Sequence, residues 1–249
     1  MVAGDGSART VALFVTCVVD VARPDVAVAA VRLLRGSGAS VSCPKGQTCC
    51  GQPAWNAGFT DEAAAVAAAS LDALEADPAD HVVVPAGSCA TMIRRYWPQL
   101  FALAGRPDDA ERAERLVPRV VELSELLARL GRPGARLRHG QVPSAAPRHG
   151  PVPHDTMSGD TPTSRDARPL GADPSAVPAD VPRLAYHRSC HLERELHVVD
   201  QPVALLTSAT GSPPAAWAAD DRCCGFGGTF SVRLPEVSVA CLLYTSRCV

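Results

Sequence analysis

Two adjacent cysteines followed by glycine, Cys49-Cys50-Gly51, recur as Cys223-Cys224-Gly225. Neighbouring thiols on one backbone bridge to each other only with strain in the peptide and in the disulfide torsion. As thiolates they are soft ligands, suited to iron–sulfur clusters and to zinc. The glycine removes a side chain where backbone must come close to such a centre. Each pair also has a cysteine at a matched distance upstream: Cys17 lies 32 positions before Cys49, and Cys190 lies 33 before Cys223. Cys89, in Pro85-Ala86-Gly87-Ser88-Cys89, brings the first set to four. Cys17, Cys49, Cys50 and Cys89 match the ligand demand of a [4Fe–4S] cluster, and equally that of a structural four-cysteine zinc site. Zinc ribbons and knuckles separate paired ligands by about two to four residues. Adjacent cysteines suit an unusual, non-cubane cluster better.

The elements that must carry these thiols follow from the apolar pattern. Residues 11–16 (VALFVT) read as a buried strand that delivers Cys17 at its end. Pro24 opens a helix over 25–35, stopped by Gly36 and Gly38, and 39–43 is a second short strand. Strand, helix, strand in this length is a βαβ unit with a parallel sheet. Asp61 caps an Ala-rich helix over 62–76, and 81–84 (HVVV) is the next strand, after which the chain turns to Cys89. The cysteines thus fall past the carboxyl ends of strands, where open α/β sheets place their ligands. Residues 92–101 and 108–130 read as helices broken at Pro107 and Pro118.

Residues 131–182 are crowded with Pro, Gly, Ser, Ala and Arg and lack a periodic apolar pattern. Such a segment buries too little surface to offset its ordering entropy, so it reads as a long disordered linker. Its histidines His139, His149 and His154 read as solvated residues rather than a metal tract. The second copy starts with a strand over 183–187 leading to Cys190, has a helix over 201–209, and reaches Cys223 and Cys224. Its closing cysteine falls due beyond Val249; Cys241 and Cys248 arrive too soon and without the strand and Gly-Ser-Cys context. The expectation is an α/β fold of two pseudo-symmetric βαβ-type cysteine-rich repeats. These are a first repeat over 1–131, a linker over 132–182, and a second, truncated repeat over 183–249 with an aberrant tail over 240–249.

Bulk numbers narrow the function. A hydrophobic content of 47% supplies a core. A formal charge of −2 and 4% aromatic residues give neither a basic field nor stacking surface for nucleic acid. Residues 1–10 are short and polar with no apolar core of signal-peptide length, and nowhere do about 18 apolar residues run together, so export and membrane insertion are not expected. Ten cysteines in a chain of this kind point to a reducing cytoplasm and to metal binding rather than a disulfide framework.

Other residues have plainer readings. Cys43 reads as a core residue at a strand end, His187 as a satisfied core histidine, and His191 as a hydrogen-bonding neighbour of the centre. A nucleophilic Cys190–His191 pair lacks a third, orienting group. Gly225-Phe226-Gly227-Gly228 lacks the dinucleotide spacing, and no flavin or nicotinamide site is visible.

At FVTCVVD (14–20), QTCCGQPAWNAG (47–58), PAGSCATM (85–92), SCHLER (189–194) and CCGFGGTFSV (223–232) the chain resembles the cysteine-rich CCG-domain family. That family includes iron–sulfur subunits of lactate-utilising, glycolate-oxidising and heterodisulfide-reducing systems, and the resemblance is greatest to the lactate-utilising branch. It implies an iron–sulfur electron-transfer subunit that works with partner proteins during oxidation of L-lactate to pyruvate. The implied ligands are Cys17, Cys49, Cys50 and Cys89, with Cys190, Cys223 and Cys224 from the second copy. Glycolate or a thiol–disulfide substrate would need the same cysteines. A zinc-stabilised interaction module without redox activity is the reading from a different class. The linker departs from the family pattern as an insertion, and the first copy closes on Cys89 alone rather than on Cys-x-x-Cys.

Overall fold

Val11, Ala12, Leu13 and Phe14 have no exposed surface, as expected of a strand covered on both faces. They lie in and just past β1 (Thr10–Leu13), the second strand of a four-stranded sheet ordered β2 (Ser40–Ser42), β1, β3 (His81–Val84), β4 (Val120–Glu122). Every pairing is parallel, with Ala12 opposite Ser42 and Val82, and Val83 opposite Val121. The computed structural model describes residues 9–131, 184–217, 224–225 and 230–240. The expected linker lies outside these residues, as do Cys223, Cys241 and Cys248.

Between the strands run α1 (Cys17–Ala22), α2 (Pro24–Gly36), α3 (Gln52–Asn56), α4 (Thr60–Ala76), α5 (Gly87–Thr91), α6 (Trp97–Leu103) and α7 (Pro107–Leu116), and α8 (Leu123–Arg129) follows β4. A π-helical turn, Met92–Tyr96, joins α5 to α6. The later segment adds a second π-helical turn, His191–Glu195, then α9 (Asp200–Thr210) and α10 (Phe230–Arg233). Alternation along the strands sends Ala12, Phe14, Val82, Val84 and Val120 to one face, packed by Ala67, Leu71 and Leu74 of α4 and by Trp97, Leu100 and Phe101 of α6. Val11, Leu13, Val83 and Val121 face the other side, against Ala30 and Leu34 of α2 and Leu126 of α8. Helices on both faces of a parallel sheet make this an α/β fold. From β1 the chain moves to one side for β2 and then to the other for β3 and β4. The loops leaving β1 and β3 therefore diverge, and the crevice between them is where such sheets take ligands.

Four expectations are corrected. Residues 108–130 do not form a helix broken only at Pro118, because Val120–Glu122 is a buried strand paired with β3. Three residues are too few to show a strand period, so packing decides their state. Asp61 does not cap α4: Phe59 holds the cap position and Asp61 lies in the first turn, where its charge favours the helix dipole. Of the strand expected over 183–187, the described residues form one parallel bridge, Ala185 to Ala215. Cys43 is exposed rather than buried, since it follows the edge strand β2, which has little covering it.

Candidate metal centre

Each candidate thiol of the first set sits where a strand gives way to the next element. Cys17 opens α1 four residues past β1, Cys49 and Cys50 end the loop after β2, and Cys89 lies in α5 just past β3. The sulfurs meet in two pairs, Cys17 to Cys49 at 3.6 Å and Cys50 to Cys89 at 3.2 Å. Cys50 and Cys89 are buried, whereas Cys17 and Cys49 are half-buried. Among the described residues, no three His, Cys, Asp or Glu side chains converge as a single metal ion would require. The thiols close in two pairs, and the Cys50 thiol of one pair lies beside the Cys49 thiol of the other.

The peptides that follow Cys49 and Cys50 are each pinned from a different helix. Ser70 of α4 donates to the Cys49 carbonyl at 3.2 Å and accepts from the Thr48 amide at 3.0 Å. Trp97 of α6, fully buried, donates its indole N–H to the Cys50 carbonyl at 2.8 Å. The Gly51 amide turns back to the Cys49 sulfur at 3.4 Å. That turn needs a left-handed backbone, and Gly51 has φ 84°. A methyl there would also stand 2.7 Å from the Ala63 carbonyl oxygen of α4. The later loop repeats the device: Gly225 has φ 71°, and a methyl on it would stand 2.8 Å from the Ser238 carbonyl oxygen.

Cys17, Cys49 and Cys50 are each biased toward the protonated thiol. The Cys50 thiol beside it and then burial push Cys49 well above the ordinary thiol range. Cys50 is raised as well: its contact with Cys49 acts the other way, but the Cys89 thiol and burial outweigh it. Burial, followed by the charge of Cys49, raises Cys17. A metal or cluster binding here displaces protons as the thiolates form.

Cys190 reaches the same region from the later segment. Gln52, next to Gly51, donates its amide N–H to His191 Nε2 at 3.2 Å, which leaves His191 Nδ1 facing the Cys190 sulfur at 3.6 Å. Thr91 donates to the His191 carbonyl and Arg95 to the Glu195 carbonyl, so the two π-helical turns lie against each other. π-Helical turns often mark functional sites. Leu192, Leu196 and Val198 join the same buried cluster as Cys50 and Cys89. Gly87 permits this approach, because a methyl on it would lie 2.6 Å from Leu192. Cys224 is exposed, and His187 packs against Trp217 with ring centres 5.6 Å apart.

Sequence reasoning missed Gln47, Ser70 and Trp97 as supports of the site. Gln47 stands two residues before the cysteine pair, its one signal; Ser70 and Trp97 are buried on helices and carry none.

The model of the family described as cysteine-rich domain (CCG) matches residues 11–94 and 184–241, which contain both Cys-Cys-Gly loops. The chain is 34% identical over 228 residues to lactate utilization protein A of Shouchella clausii, covering 92% of this chain and 77% of that one. It is 36% identical to lactate utilization protein A of Geobacillus kaustophilus over the same shares of both chains. Lactate utilization protein A 2 of Bacillus cereus strain Q1 is 29% identical, over 92% of this chain and 76% of its own. Matched along more than half its length by the family model, and along most of its length by such relatives, the chain belongs to the cysteine-rich CCG-domain family.

Proposed function

We propose that this protein is an iron–sulfur electron-transfer subunit of a cytoplasmic lactate-utilising system, with Cys17, Cys49, Cys50 and Cys89 holding a [4Fe–4S]-type cluster. The observation that carries the reading is the arrangement of four thiols in two pairs, from three successive strand ends at the carboxyl edge of the sheet. Such a donor set fits a cluster, which spreads its ligands over several irons, better than one zinc ion, which gathers four around a point. The names of the relatives point to lactate as the substrate. The reaction proposed for it is oxidation of L-lactate to pyruvate, with release of two electrons and two protons. Partner subunits carry out that oxidation. Cys190, Cys223 and Cys224 are the ligands of the later loop.

When bound, the cluster supplies one-electron transfer at a potential set by its ligands, hydrogen bonds and burial. The chain's own residues do the rest. Ser70 fixes the Cys49–Cys50 peptide and Trp97 the Cys50–Gly51 peptide, and the Gly51 amide lies against a ligand sulfur, the kind of hydrogen bond that tunes potential. Leu192, Leu196 and Val198 shield the buried pair from water.

Iron, sulfide and zinc per chain after anaerobic purification, read with EPR spectra of the oxidised and reduced protein, test the reading. About four irons with sulfide are expected for one cluster, and about eight if the later cysteines hold a second. Zinc without sulfide overturns it. Cys50→Ser is expected to lose most of the iron of the first site while keeping its far-ultraviolet circular dichroism. Unchanged iron in that variant would remove Cys50 from the ligand set.

A further inference from the structure

The β1–β2 ladder pairs Thr10 with Ser40, Val11 with Val41 and Ala12 with Ser42, and the Ser40 amide donates to the Arg9 carbonyl. Continued in that register, the next rung falls between Phe14 and position 44. There the backbone N–H of 44 would donate to the Leu13 carbonyl, and its carbonyl would accept from the Val15 amide. Position 44 is Pro44, which has no N–H to give. The ladder stops, and the two chains part before either reaches its cysteine.

The side chain of Gln47 fills the missing rung. Its Nε2 donates to the Leu13 carbonyl at 3.1 Å and its Oε1 accepts from the Val15 amide at 2.8 Å, the two bonds that residue 44 would have made. A second Nε2 proton goes to the Pro44 carbonyl at 3.0 Å, tying the amide to its own loop. Both chains run two residues from this tie to a thiol, Val15 to Cys17 and Gln47 to Cys49, and those sulfurs lie 3.6 Å apart.

We infer that Gln47 is a positioning residue, a side-chain rung that replaces the one Pro44 cannot make and holds Cys17 against Cys49. The inference rests on the reading of Cys17 and Cys49 as members of one site. Asp80 provides an internal control. It ties the other end of β1 through the amide and hydroxyl of Thr10, each at 2.9 Å, far from the thiols.

The test uses phenylarsine oxide on the full metal-free chain. Two thiols close together bond to the arsenic and release its oxygen as water, with no change of oxidation state. Peptide mapping then gives the rate at which Cys17 and Cys49 become bridged. Gln47→Met, of similar length but without hydrogen bonds, is expected to slow that rate about tenfold, since a loosened pair loses effective concentration. Asp80→Ala is expected to lower Tm yet keep the wild-type rate. Pro44→Ala combined with Gln47→Met returns a backbone N–H to the register, and the rate is expected to recover to within about threefold of wild type. A wild-type rate in Gln47→Met overturns the inference, as does equal slowing by Asp80→Ala, or equal rates in the single and double variants. Iron content of the wild-type chain separates the two readings. A chain without iron whose bridging depends on Gln47 leaves the rung and removes the cluster. A chain with iron whose bridging ignores Gln47 does the reverse.

Discussion

Cys49 and Cys50 are consecutive, yet their sulfurs meet different partners, Cys17 for one and Cys89 for the other. Side chains from two helices hold the peptides on either side of Cys50, Ser70 the one before and Trp97 the one after, and Trp97 is the more exacting of them. Its indole N–H reaches the carbonyl of a residue 47 positions earlier, inside the core. Trp97→Phe keeps most of the packing and leaves that buried carbonyl without its donor, a cost of about 1–3 kcal/mol. Urea unfolding should show the loss as a lower midpoint with an unchanged slope. This support was not legible in the sequence, because a hydrogen bond between distant positions leaves no period and no spacing. The thiols were legible, since vicinal cysteines with matched upstream partners have few other uses. Cys43 looked like its neighbours by type alone and lies exposed at a sheet edge.

Among elements, β1 and β3 were readable as apolar runs rich in β-formers, and β2 (Ser-Val-Ser) from its place just after the helix stop at Gly36 and Gly38. β4 was not, being three residues between two helices and specified by what β3 offers it. Its last residue, Glu122, also caps α8: its carboxylate accepts from the amides of Ser124 and Glu125 while Glu125 reaches back to the Glu122 amide. Burial raises the Glu122 pKa above the ordinary carboxyl range despite those bonds. The folded chain then binds this proton more tightly than the unfolded one, so the contribution of Glu122 to stability is complete below the ordinary carboxyl pKa. It is lost as pH rises through the folded value. Glu122→Gln, which cannot ionise, should gain Tm relative to the wild type as pH rises across that window. A Tm difference independent of pH would contradict the assignment. The tight turn at Gly51 is as demanding: Gly51→Ala combines a positive φ with a close approach to the Ala63 carbonyl. The expected loss is about 1–3 kcal/mol, measurable by thermal unfolding, and iron content should fall with it.

In the whole molecule, the later segment does not stand apart from the earlier one. Leu192 and Leu196, each 8% exposed, and Val198, 2% exposed, complete the core that contains Cys50 and Cys89. Leu192→Ala should cost about 2–5 kcal/mol and speed hydrogen exchange at Cys89 and Ala90 as well as in 191–198. Acceleration confined to 191–198 would mean that the segment merely rests on the surface. Matched cysteine spacing suggested two copies from the sequence; their shared core could not be read there, since it depends on three apolar residues with no period of their own. The arrangement has a consequence for synthesis. All four thiols of the first set emerge from the ribosome before Leu192 is made. At roughly 5–20 residues per second, a further 5–20 s or so passes before the hundred-odd residues after Cys89 have been added. During that interval Cys50 and Cys89 lack part of their cover, open to oxidants and to whatever delivers metal. A loading step that acts on the growing chain finds an open site; one that acts on the finished chain must first lift its lid.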